Sequence, residues 1–448
     1  MKRTSFLIIA AIVVVVAVGA IWMLRGDTAK LPEIAATGPS PSLPEPIKTL
    51  IPTVHIAPAK GWPAGTKPVA AAGLTVNAFA LGLEHPRWLY VLPNGDVLVA
   101  ESNGPPRPED AKGIKGFVYR AVQARAGAGV PSANRITLLR ATGSGVASKT
   151  VFLKDLNSPF GMALVGNDLY VANTDAIVRF PYSEGATEIT APGEKLADLP
   201  AGPINHHWTK NVIASQDGAR LYATVGSNSN AGENGLDQEQ NRAAILEVDR
   251  TSGKSRVFAA GLRNPNGMEW HPQTGALWTV VNERDELGSD LVPDYLTSVK
   301  DGGFYGWPYS YYGQHVDSRV PANPDMVAKA IIPDYALGNH TASLGLAFYN
   351  GSLLPERYRG GAFIGQHGSW NRKPLSGYKV VFVPFADGRP SGMPIDALTG
   401  FVDKDGDAMG RPVGVVVDKQ GALLVADDIG NTVWRITPAE PQSAGADR

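Results

Sequence analysis

A short turn-and-strand unit recurs along this chain of 448 residues. In each copy a turn containing Gly, Asn or Asp precedes a short strand of β-branched and aliphatic residues, and polar residues follow. The copies begin at Asn94, Gly166, Asp217, Gly275, Gly360 and Gly421. Six copies over about 370 residues leave about 60 residues for each unit, which suits a four-stranded propeller blade with insertions. The repeat therefore predicts an all-β fold, a six-bladed β-propeller, with five or seven blades as alternatives.

Composition supports this interpretation. No amphipathic pattern of helical length alternates with the strands, which disfavours a parallel α/β sheet. The 50 glycines and 35 prolines suit many short strands and turns. We expect the folded body to run from residue 71 to residue 438, followed by a disordered tail at 439–448. Residues 74–83 are expected to supply the strand that closes the ring against the last blade.

The N-terminal sequence predicts where the protein is located in the cell. Lys2 and Arg3 precede an uncharged, mostly apolar run at residues 5–24. Twenty residues of helix span about 30 Å, the thickness of a bilayer core. We therefore predict a transmembrane anchor at residues 1–25 that holds the body on the periplasmic side of the inner membrane; the alternative is a cleaved signal peptide. Residues 26–70 are rich in Pro, Ala and Thr, which predicts an extended linker that holds the body off the membrane.

Charge and cysteine content exclude other classes of function. The chain carries 41 basic and 42 acidic residues, a net charge of −1, and no long basic run. Nucleic acid is therefore not an expected partner. The chain has no cysteine, which excludes disulfides and thiolate metal sites.

Three motifs follow one another between short predicted strands: RNPNG at 263–267, NERD at 282–285 and GGFYGWP at 302–308. An arginine beside an amide, an acidic turn and a glycine-rich aromatic loop suit a polyanionic, metal-bound cofactor. Further motifs are NHHWTKN at 205–211, GQHGSWNRK at 365–373 and GRPVGV at 410–415. Their order and spacing resemble the soluble pyrroloquinoline quinone (PQQ) sugar dehydrogenases, in particular the sorbosone dehydrogenase-like branch. The resemblance covers about residues 71–438.

The resemblance implies a catalytic histidine in the motif at 205–211. Counting back from the turn at Asp217 selects His207, with His206 as the alternative. A histidine suits this role because its pKa lies near neutrality, so it can take a hydroxyl proton while hydride leaves the adjacent carbon. Where close relatives have an acidic residue that orients this histidine, the chain has Ser227.

The resemblance also implies the residues that hold PQQ, a quinone with three carboxylates. Arg263 is expected to pair with a carboxylate or to stabilise the oxygen that gains negative charge, which makes it catalytic as well as cofactor-binding. The other expected cofactor contacts are Asn264, Asn282, Arg411 and one of Arg372 and Lys373.

A calcium ion is implied by the same resemblance. Its expected ligands are the backbone carbonyls of Glu283 and Arg284, with Asp285 beside them. A second set of oxygen-bearing residues follows the repeated strands, namely Glu101, Asn173, Ser227, Asn282 and Asp427. These residues suit ordinary turn chemistry, but a ring of such oxygens can also hold a hard cation.

The expected function is a PQQ- and calcium-dependent oxidation of a sugar or sugar aldehyde, of aldose or sorbosone type. No haem-attachment motif occurs, so the electrons are expected to pass to an external acceptor, a cytochrome or a quinone. One alternative is a metal-dependent lactonase of the gluconolactonase type, which the possible metal ring favours. Another is a non-catalytic propeller that binds a glycan or a protein. Arg263 and Arg411 favour the dehydrogenase, since a lactonase needs only its metal.

Overall fold

The computed structural model describes residues 26–47, 49, 52–106, 122–142 and 145–440. The expected anchor at residues 5–24 and most of the expected tail lie outside these residues. Within the described ranges, no helix is long and apolar enough to cross a membrane.

Six antiparallel sheets form the body, and each contains the four strands of one blade. Blade 1 comprises Pro86–Val91, Val97–Glu101, Arg135–Thr142 and Gly145–Leu153; blade 2 comprises Met162–Val165, Asp168–Ala172, Ala176–Pro181 and Glu194–Asp198; blade 3 comprises Val212–Ala214, Arg220–Val225, Ala244–Asp249 and Ser255–Ala260. Blade 4 comprises Pro265–Trp270, Leu277–Val281, Pro293–Ser298 and Tyr335–Asn339; blade 5 comprises Ser343–Tyr349, Gly361–Gln366, Lys379–Ala386 and Ile395–Thr399; blade 6 comprises Pro412–Val417, Leu423–Asp427, Thr432–Pro438 and Leu74–Ala80.

The first strand given for each blade is its innermost strand. Each innermost strand contacts those of the two neighbouring blades, and blade 6 contacts blade 1, so the ring is closed. Leu74–Ala80 pairs antiparallel with Thr432–Pro438, which joins the start of the body to its end. The predicted six blades and the predicted closing strand are both confirmed.

The second strand of each blade explains why the repeat was visible in the sequence. Val97–Glu101, Leu277–Val281 and Leu423–Asp427 are buried at every residue. A strand between two neighbours in its own sheet, with other blades packed on its faces, has both faces covered, so it is apolar almost throughout. Each second strand ends where an innermost strand begins, so polar residues at these junctions meet at one end of the axis. We call this end the mouth.

The N-terminal segment corrects the expectation of a free linker. Thr37–Gly38 pairs with the outer strand of blade 4, and Val69–Ala70 pairs with the outer strand of blade 5. Between them, His55 forms a bridge with Asn371 and Ala59 forms one with Ala408. The segment is extended, but its backbone groups find partners on the propeller. Over these residues it packs against the body and does not act as a spacer.

The other described elements are short. An α-helix, α1, spans Pro324–Lys329, and its first turn is capped by the side chain of Asn323. The 3₁₀ helices are Glu33–Ala36, Leu236–Glu239 and Glu356–Tyr358. Ser310–Tyr311 pairs with His315–Val316 in a small hairpin, and Arg389–Pro390 pairs with the end of Lys379–Ala386.

Candidate active site

A cavity of about 270 Å³ opens at the mouth of the propeller. Residues from blades 1, 3, 4, 5 and 6 and from the N-terminal segment line it. They include Ile56, Arg87, His206, His207, Trp208, Thr209, Asn264, Asn266, Asn282, His367, Trp370 and Arg411. His207, Asn264, Asn282 and Arg411, all predicted from sequence, therefore converge on one cavity although they belong to three different blades or the loops that precede them.

His207 lies on the loop that precedes blade 3. Its Nδ1 lies 2.8 Å from the carbonyl oxygen of Ser227 and 3.1 Å from Ser227 Oγ. A carbonyl oxygen can only accept a hydrogen bond, so Nδ1 carries the proton and the lone pair is on Nε2. This is the tautomer that a general base requires. The carbonyl of Ser227 thus orients the His207 ring, a role for which this chain has no acidic side chain at position 227.

Two neighbours fix the loop that carries His207. Lys210 is fully buried, and its Nζ donates to the carbonyls of His207 at 3.1 Å and Trp208 at 3.3 Å. Burial lowers the pKa of Lys210 well below its usual value, and the charge of Arg242 adds to this effect. At Gly226 an added Cβ would lie 2.5 Å from the Cβ of His207, so only glycine allows this close approach. His206 lines the same cavity, and its ring centroid lies 4.7 Å from that of His207.

Several buried polar atoms beside the cavity have no hydrogen-bond partner among the described residues. They include Asn264 Oδ1, Asn266 Nδ2 and Arg411 Nε. Buried polar groups without partners are costly, and a bound ligand removes that cost. Arg411 also donates from Nη2 to the carbonyl of Ala57 at 2.9 Å. A cation beside amide donors and acceptors fits a planar ligand with carboxylate and carbonyl oxygens, the chemistry of PQQ.

Arg263 lies behind the wall of this cavity. Its side chain is 2% exposed, and Nη1 donates to the carbonyl of Glu283 at 2.6 Å. Nε donates to the carbonyl of Asn230 at 3.1 Å and Nη2 to Asn230 Oδ1 at 3.0 Å. Arg263 is not among the residues that line the cavity. Arg263 instead holds two loops together beneath Asn282.

The predicted calcium loop is occupied by guanidinium groups. The carbonyl of Glu283 accepts from Arg263, and the carbonyl of Asp285 accepts from Arg284 Nη2 at 2.7 Å and Nε at 2.9 Å. A divalent cation at these oxygens would lie beside two positive charges. Among the described residues, no group of three or more His, Cys, Asp or Glu side chains is placed to hold a metal ion. Of the two predicted carbonyl ligands, that of Glu283 is therefore already bonded to a guanidinium group.

The acidic side chains of the loop are satisfied by protein partners. Burial raises the pKa of Glu283 to about 7. Burial opposes ionisation of Asp285 too, but a hydrogen bond from His340 and the charge of Arg263 lower the pKa of Asp285 to about 2. The Asp285 carboxylate lies 3.2 Å from His340 Nδ1 and 3.6 Å from Arg263 Nη2. Its charge is therefore compensated within the protein.

Neither predicted cation of the motif at 365–373 lines the cavity. The Arg372 side chain is buried and donates to the carbonyls of Ser289 and Pro374, both at 3.0 Å. Lys373 is exposed. The same motif instead contributes His367 and Trp370 to the cavity wall.

Two members of the possible ring of oxygen ligands, Glu101 and Asp427, are bonded to protein donors. The carboxylate of Glu101 accepts from Arg135 at 2.9 and 3.0 Å. The carboxylate of Asp427 accepts from Trp62 Nε1 at 2.7 Å and Trp434 Nε1 at 2.9 Å. These two carboxylates stabilise strand ends and packed side chains.

Sequence reasoning missed a charged cluster at the mouth formed by Arg87, His367 and Asp428. The Asp428 carboxylate accepts from Arg87 Nη1, and from His367 Nε2 at 2.8 Å. Burial opposes ionisation of Asp428, but the charges of His367, His85 and Arg87 lower the pKa of Asp428 far below its usual value. Arg87 and Asp428 are 341 residues apart in the chain, and only closure of the ring brings them together. No local motif could have revealed this pair.

The fold and the mouth cavity define a class of protein: six-bladed β-propellers with a polar, arginine-bearing site on the axis. Residues 166–369 match the family model described as glucose/sorbosone dehydrogenase, and residues 325–439 match one described as TrAA12-like. The first match supports the resemblance of this chain to the soluble PQQ-dependent sugar dehydrogenases.

Individual relatives are distant. The aldose sugar dehydrogenase YliI of Escherichia coli is 24% identical over 187 residues, which is 39% of this chain and 49% of that protein. The pyrroloquinoline quinone-dependent pyranose dehydrogenase of Coprinopsis cinerea is 24% identical over 290 residues, 53% of this chain and 38% of that protein. The holo structure of its PQQ domain superposes with a TM-score of 0.67 and 21% identity, covering 86% of this chain and 100% of the domain. The structural likeness independently supports the propeller fold.

Proposed function

We propose that this protein oxidises a sugar, or a sugar aldehyde, with PQQ bound in the mouth cavity. The observation that carries the proposal is the convergence of His207, in the tautomer of a general base, with Arg411 and Asn264 on one cavity. When bound, PQQ supplies a quinone that accepts hydride. The two named relatives bear names of sugar dehydrogenases, which supports sugar as the substrate class.

The residues of the chain take separate roles in this proposal. His207 receives the substrate hydroxyl proton at Nε2 while its Nδ1–H stays bonded to the Ser227 carbonyl. Arg411 pairs with a carboxylate of the cofactor, and Asn264 and Asn266 bond its polar edge. Arg263 holds the wall behind Asn282. Calcium has no step in this proposal because the carbonyls of Glu283 and Asp285 already accept from arginine.

The lining of the cavity suits a sugar. His206, Thr209 and Asn282 offer donors and acceptors for hydroxyl groups, and Trp208 and Trp370 offer apolar faces for C–H groups. Specific small-molecule sites combine a few polar groups with aromatic surface in this way. An aldose and a sorbosone-type aldehyde both fit this description.

The proposed location is the periplasm, with the body tethered to the inner membrane by residues 5–24. The motivating observations are the basic pair Lys2 and Arg3, the uncharged run after it and the absence of cysteine. The proposed electron acceptor is an external cytochrome or quinone.

The lactonase alternative depends on a ring of metal-binding oxygens. Glu101 and Asp427 were two members of that ring, and both carboxylates are bonded to protein donors. Arg411, which a lactonase does not need, lies at the cavity with an unpaired buried Nε. The dehydrogenase is therefore the better-supported function.

The test uses purified full-length protein loaded with PQQ and supplied with a panel of aldoses and an artificial electron acceptor. We expect acceptor reduction that depends on both PQQ and sugar, and that His207→Ala abolishes nearly completely. Lactone hydrolysis that needs a metal, without acceptor reduction, would favour the alternative. Failure of PQQ to quench the intrinsic tryptophan fluorescence would reject the cofactor.

A further inference from the structure

A second guanidinium group, that of Arg87, faces the mouth cavity and lies outside every motif that carries the family resemblance. Arg87 is on the innermost strand of blade 1, is 9% exposed and lines the cavity. Its guanidinium carbon lies 5.7 Å from the centre of the Trp208 ring and 6.0 Å from that of Phe160. The aromatic contacts hold the planar group in place.

Arg87 and Arg411 belong to neighbouring blades. Arg411 immediately precedes the innermost strand of blade 6, which contacts the innermost strand of blade 1. Burial lowers the pKa of His367, and the charges of both guanidinium groups lower it further. The backbone N–H of Asp428 also donates to the carbonyl of Arg411 at 3.4 Å. One compact corner of the cavity therefore contains both arginines.

Each of the two arginines retains an unused donor. Arg87 Nε and Arg411 Nε are buried and have no partner among the described residues. Arg87 uses Nη1 for Asp428, and Arg411 uses Nη2 for the carbonyl of Ala57. A buried charged N–H without an acceptor is costly, and a carboxylate is the acceptor that guanidinium groups bind best.

The two guanidinium groups differ in their acceptors. Arg87 donates to the carboxylate of Asp428, whereas the guanidinium group of Arg411 donates to the carbonyl of Ala57, which carries no full charge. The carboxylate of Asp427 accepts from the backbone N–H of Arg411 and from the indole N–H groups of Trp62 and Trp434. A ligand carboxylate would give the guanidinium group of Arg411 a charged acceptor.

We propose that Arg87 and Arg411 together bind one carboxylate of the cofactor, and that Asp428 is the positioning residue that keeps the Arg87 guanidinium at the cavity. This inference rests on the proposed function and adds a cofactor-binding residue and its support. It also gives blade 1, which carries none of the motifs of the resemblance, a direct part in the site.

The test measures PQQ affinity by quenching of tryptophan fluorescence, independently of turnover. We expect Arg87→Gln to weaken PQQ binding by about 10- to 100-fold, the loss of one charge-assisted pair. Arg87→Lys keeps the positive charge but loses the planar pair of N–H donors that can bind both oxygens of a carboxylate, so an intermediate affinity is expected. Asp428→Asn should weaken binding by about tenfold, because Arg87 loses the acceptor that orients it.

A matched control removes another buried arginine–aspartate pair. Arg435 Nε donates to Asp418 Oδ2 at 2.8 Å on a strand that is not innermost in blade 6. Arg435→Gln should lower the melting temperature as Arg87→Gln does, yet change PQQ affinity by less than about twofold. Loss of affinity in all of these variants alike would reveal a purely structural effect and overturn the proposal.

Comparison of PQQ with its trimethyl ester separates charge recognition from general damage. The wild-type protein should prefer the free acid, and Arg87→Gln should reduce that preference by about tenfold because it removes a carboxylate partner. If Arg87→Gln fails to fold, Arg87→Lys and Asp428→Asn give the same comparison. Wild-type affinity and preference in the Arg87 variants would overturn this inference alone, whereas absence of PQQ binding in the wild-type protein would overturn it together with the proposed function.

Discussion

The Nδ1 atom of His207 lies 2.8 Å from the carbonyl oxygen of Ser227. This backbone oxygen orients the His207 ring, whereas close relatives are expected to orient the corresponding histidine with an acidic side chain. It fixes the tautomer as firmly as a carboxylate does, but it carries no full negative charge and so stabilises the imidazolium less. In the proposed reaction, proton abstraction by His207 would therefore depend on geometry more than on a charged partner.

The first prediction concerns the base itself. His207→Ala should lower turnover by about 10²- to 10⁴-fold, the range for loss of a general base, while PQQ affinity stays nearly unchanged. His206→Ala should have a mild effect. Steady-state kinetics and fluorescence titration measure the two quantities. Wild-type turnover in His207→Ala, together with loss in His206→Ala, would move the base by one residue, and normal activity in the double mutant would remove the mechanism.

The second prediction tests the carbonyl partner. Ser227→Ala keeps the carbonyl and loses two Oγ contacts, that with His207 Nδ1 at 3.1 Å and that with the carbonyl of Ser229 at 2.6 Å, so turnover should fall by less than about tenfold. Ser227→Asp adds a negative charge that favours the imidazolium and raises the pKa of His207. The acidic limb of the kcat/KM profile should then move to higher pH, since the base works when deprotonated. Ser227→Asn is the uncharged control, and an equal shift in that variant would contradict the electrostatic explanation.

The third prediction separates the two predicted arginines. Arg263 is 2% exposed and bonds the carbonyls of two loops, so Arg263→Ala should reduce the free energy of unfolding by about 3–5 kcal/mol. Arg411→Gln should affect stability less and PQQ affinity more. Urea unfolding and fluorescence titration give the two readings. A stable Arg263→Ala protein with weak PQQ binding would restore Arg263 as a direct cofactor contact.

The fourth prediction concerns metal. Because guanidinium groups already occupy the carbonyls of Glu283 and Asp285, removal of divalent ions with EDTA should change PQQ affinity by less than about threefold. The same titration is repeated after addition of Ca²⁺, with Mg²⁺ as the control ion. A gain of more than about tenfold that is specific for Ca²⁺ would show that the loop rearranges to admit the ion.

The sequence predicted the blades well because each second strand is buried on both faces, so a short apolar run between turns repeats around the ring. It also predicted that His207, Arg263 and Arg411 share one cavity; His207 and Arg411 line the cavity, and Arg263 does not. It could not give side-chain direction. Successive residues point to opposite sides near a strand end, so Asn264 lines the cavity while Arg263 lies behind it.

Contacts between distant parts of the chain could not be predicted from the sequence either. Arg87 and Asp428 meet only because blade 6 closes on blade 1. Composition marked residues 26–70 as extended, but backbone pairing at a blade edge leaves no hydrophobic period in such a short strand. The carbonyl of Ala57 could therefore not be recognised as the partner of Arg411 before the structure was known.

The fifth prediction follows from this packed segment and concerns where the chain can be cut. A protein that begins at Gly26 should be soluble and keep the melting temperature of the body. One that begins at Leu74 should also be soluble, but it loses the edge pairing at Thr37–Gly38 and Val69–Ala70 and the Ala57 contact to Arg411. It should melt lower and bind PQQ more weakly. Identical stability and affinity of the two proteins would show that the packed segment is dispensable.

The same series tests the anchor. The full-length chain should fractionate with membranes, and the protein that begins at Gly26 should not. Recovery from the periplasm of a mature protein that lacks residues 1–30 would show that residues 5–24 act as a cleaved signal peptide.

The last prediction concerns pH and a half-buried carboxyl group. Glu269 is on the innermost strand of blade 4, and burial raises the pKa of Glu269 to about 8 although Oε2 accepts from the backbone N–H of Phe348 at 2.6 Å. Between the unfolded-state pKa of about 4.5 and this value, the folded chain holds a proton that the unfolded chain has lost. The contribution of Glu269 to stability therefore falls as pH rises through this window. Glu269→Gln mimics the protonated group, so it should match the wild-type protein in urea unfolding at pH 5 and be more stable at pH 8. Glu194→Gln, at an exposed position, is the control and should show no such divergence. Equal stability of Glu269→Gln and wild type at both pH values would show that Glu269 ionises in the folded protein as freely as in the unfolded chain.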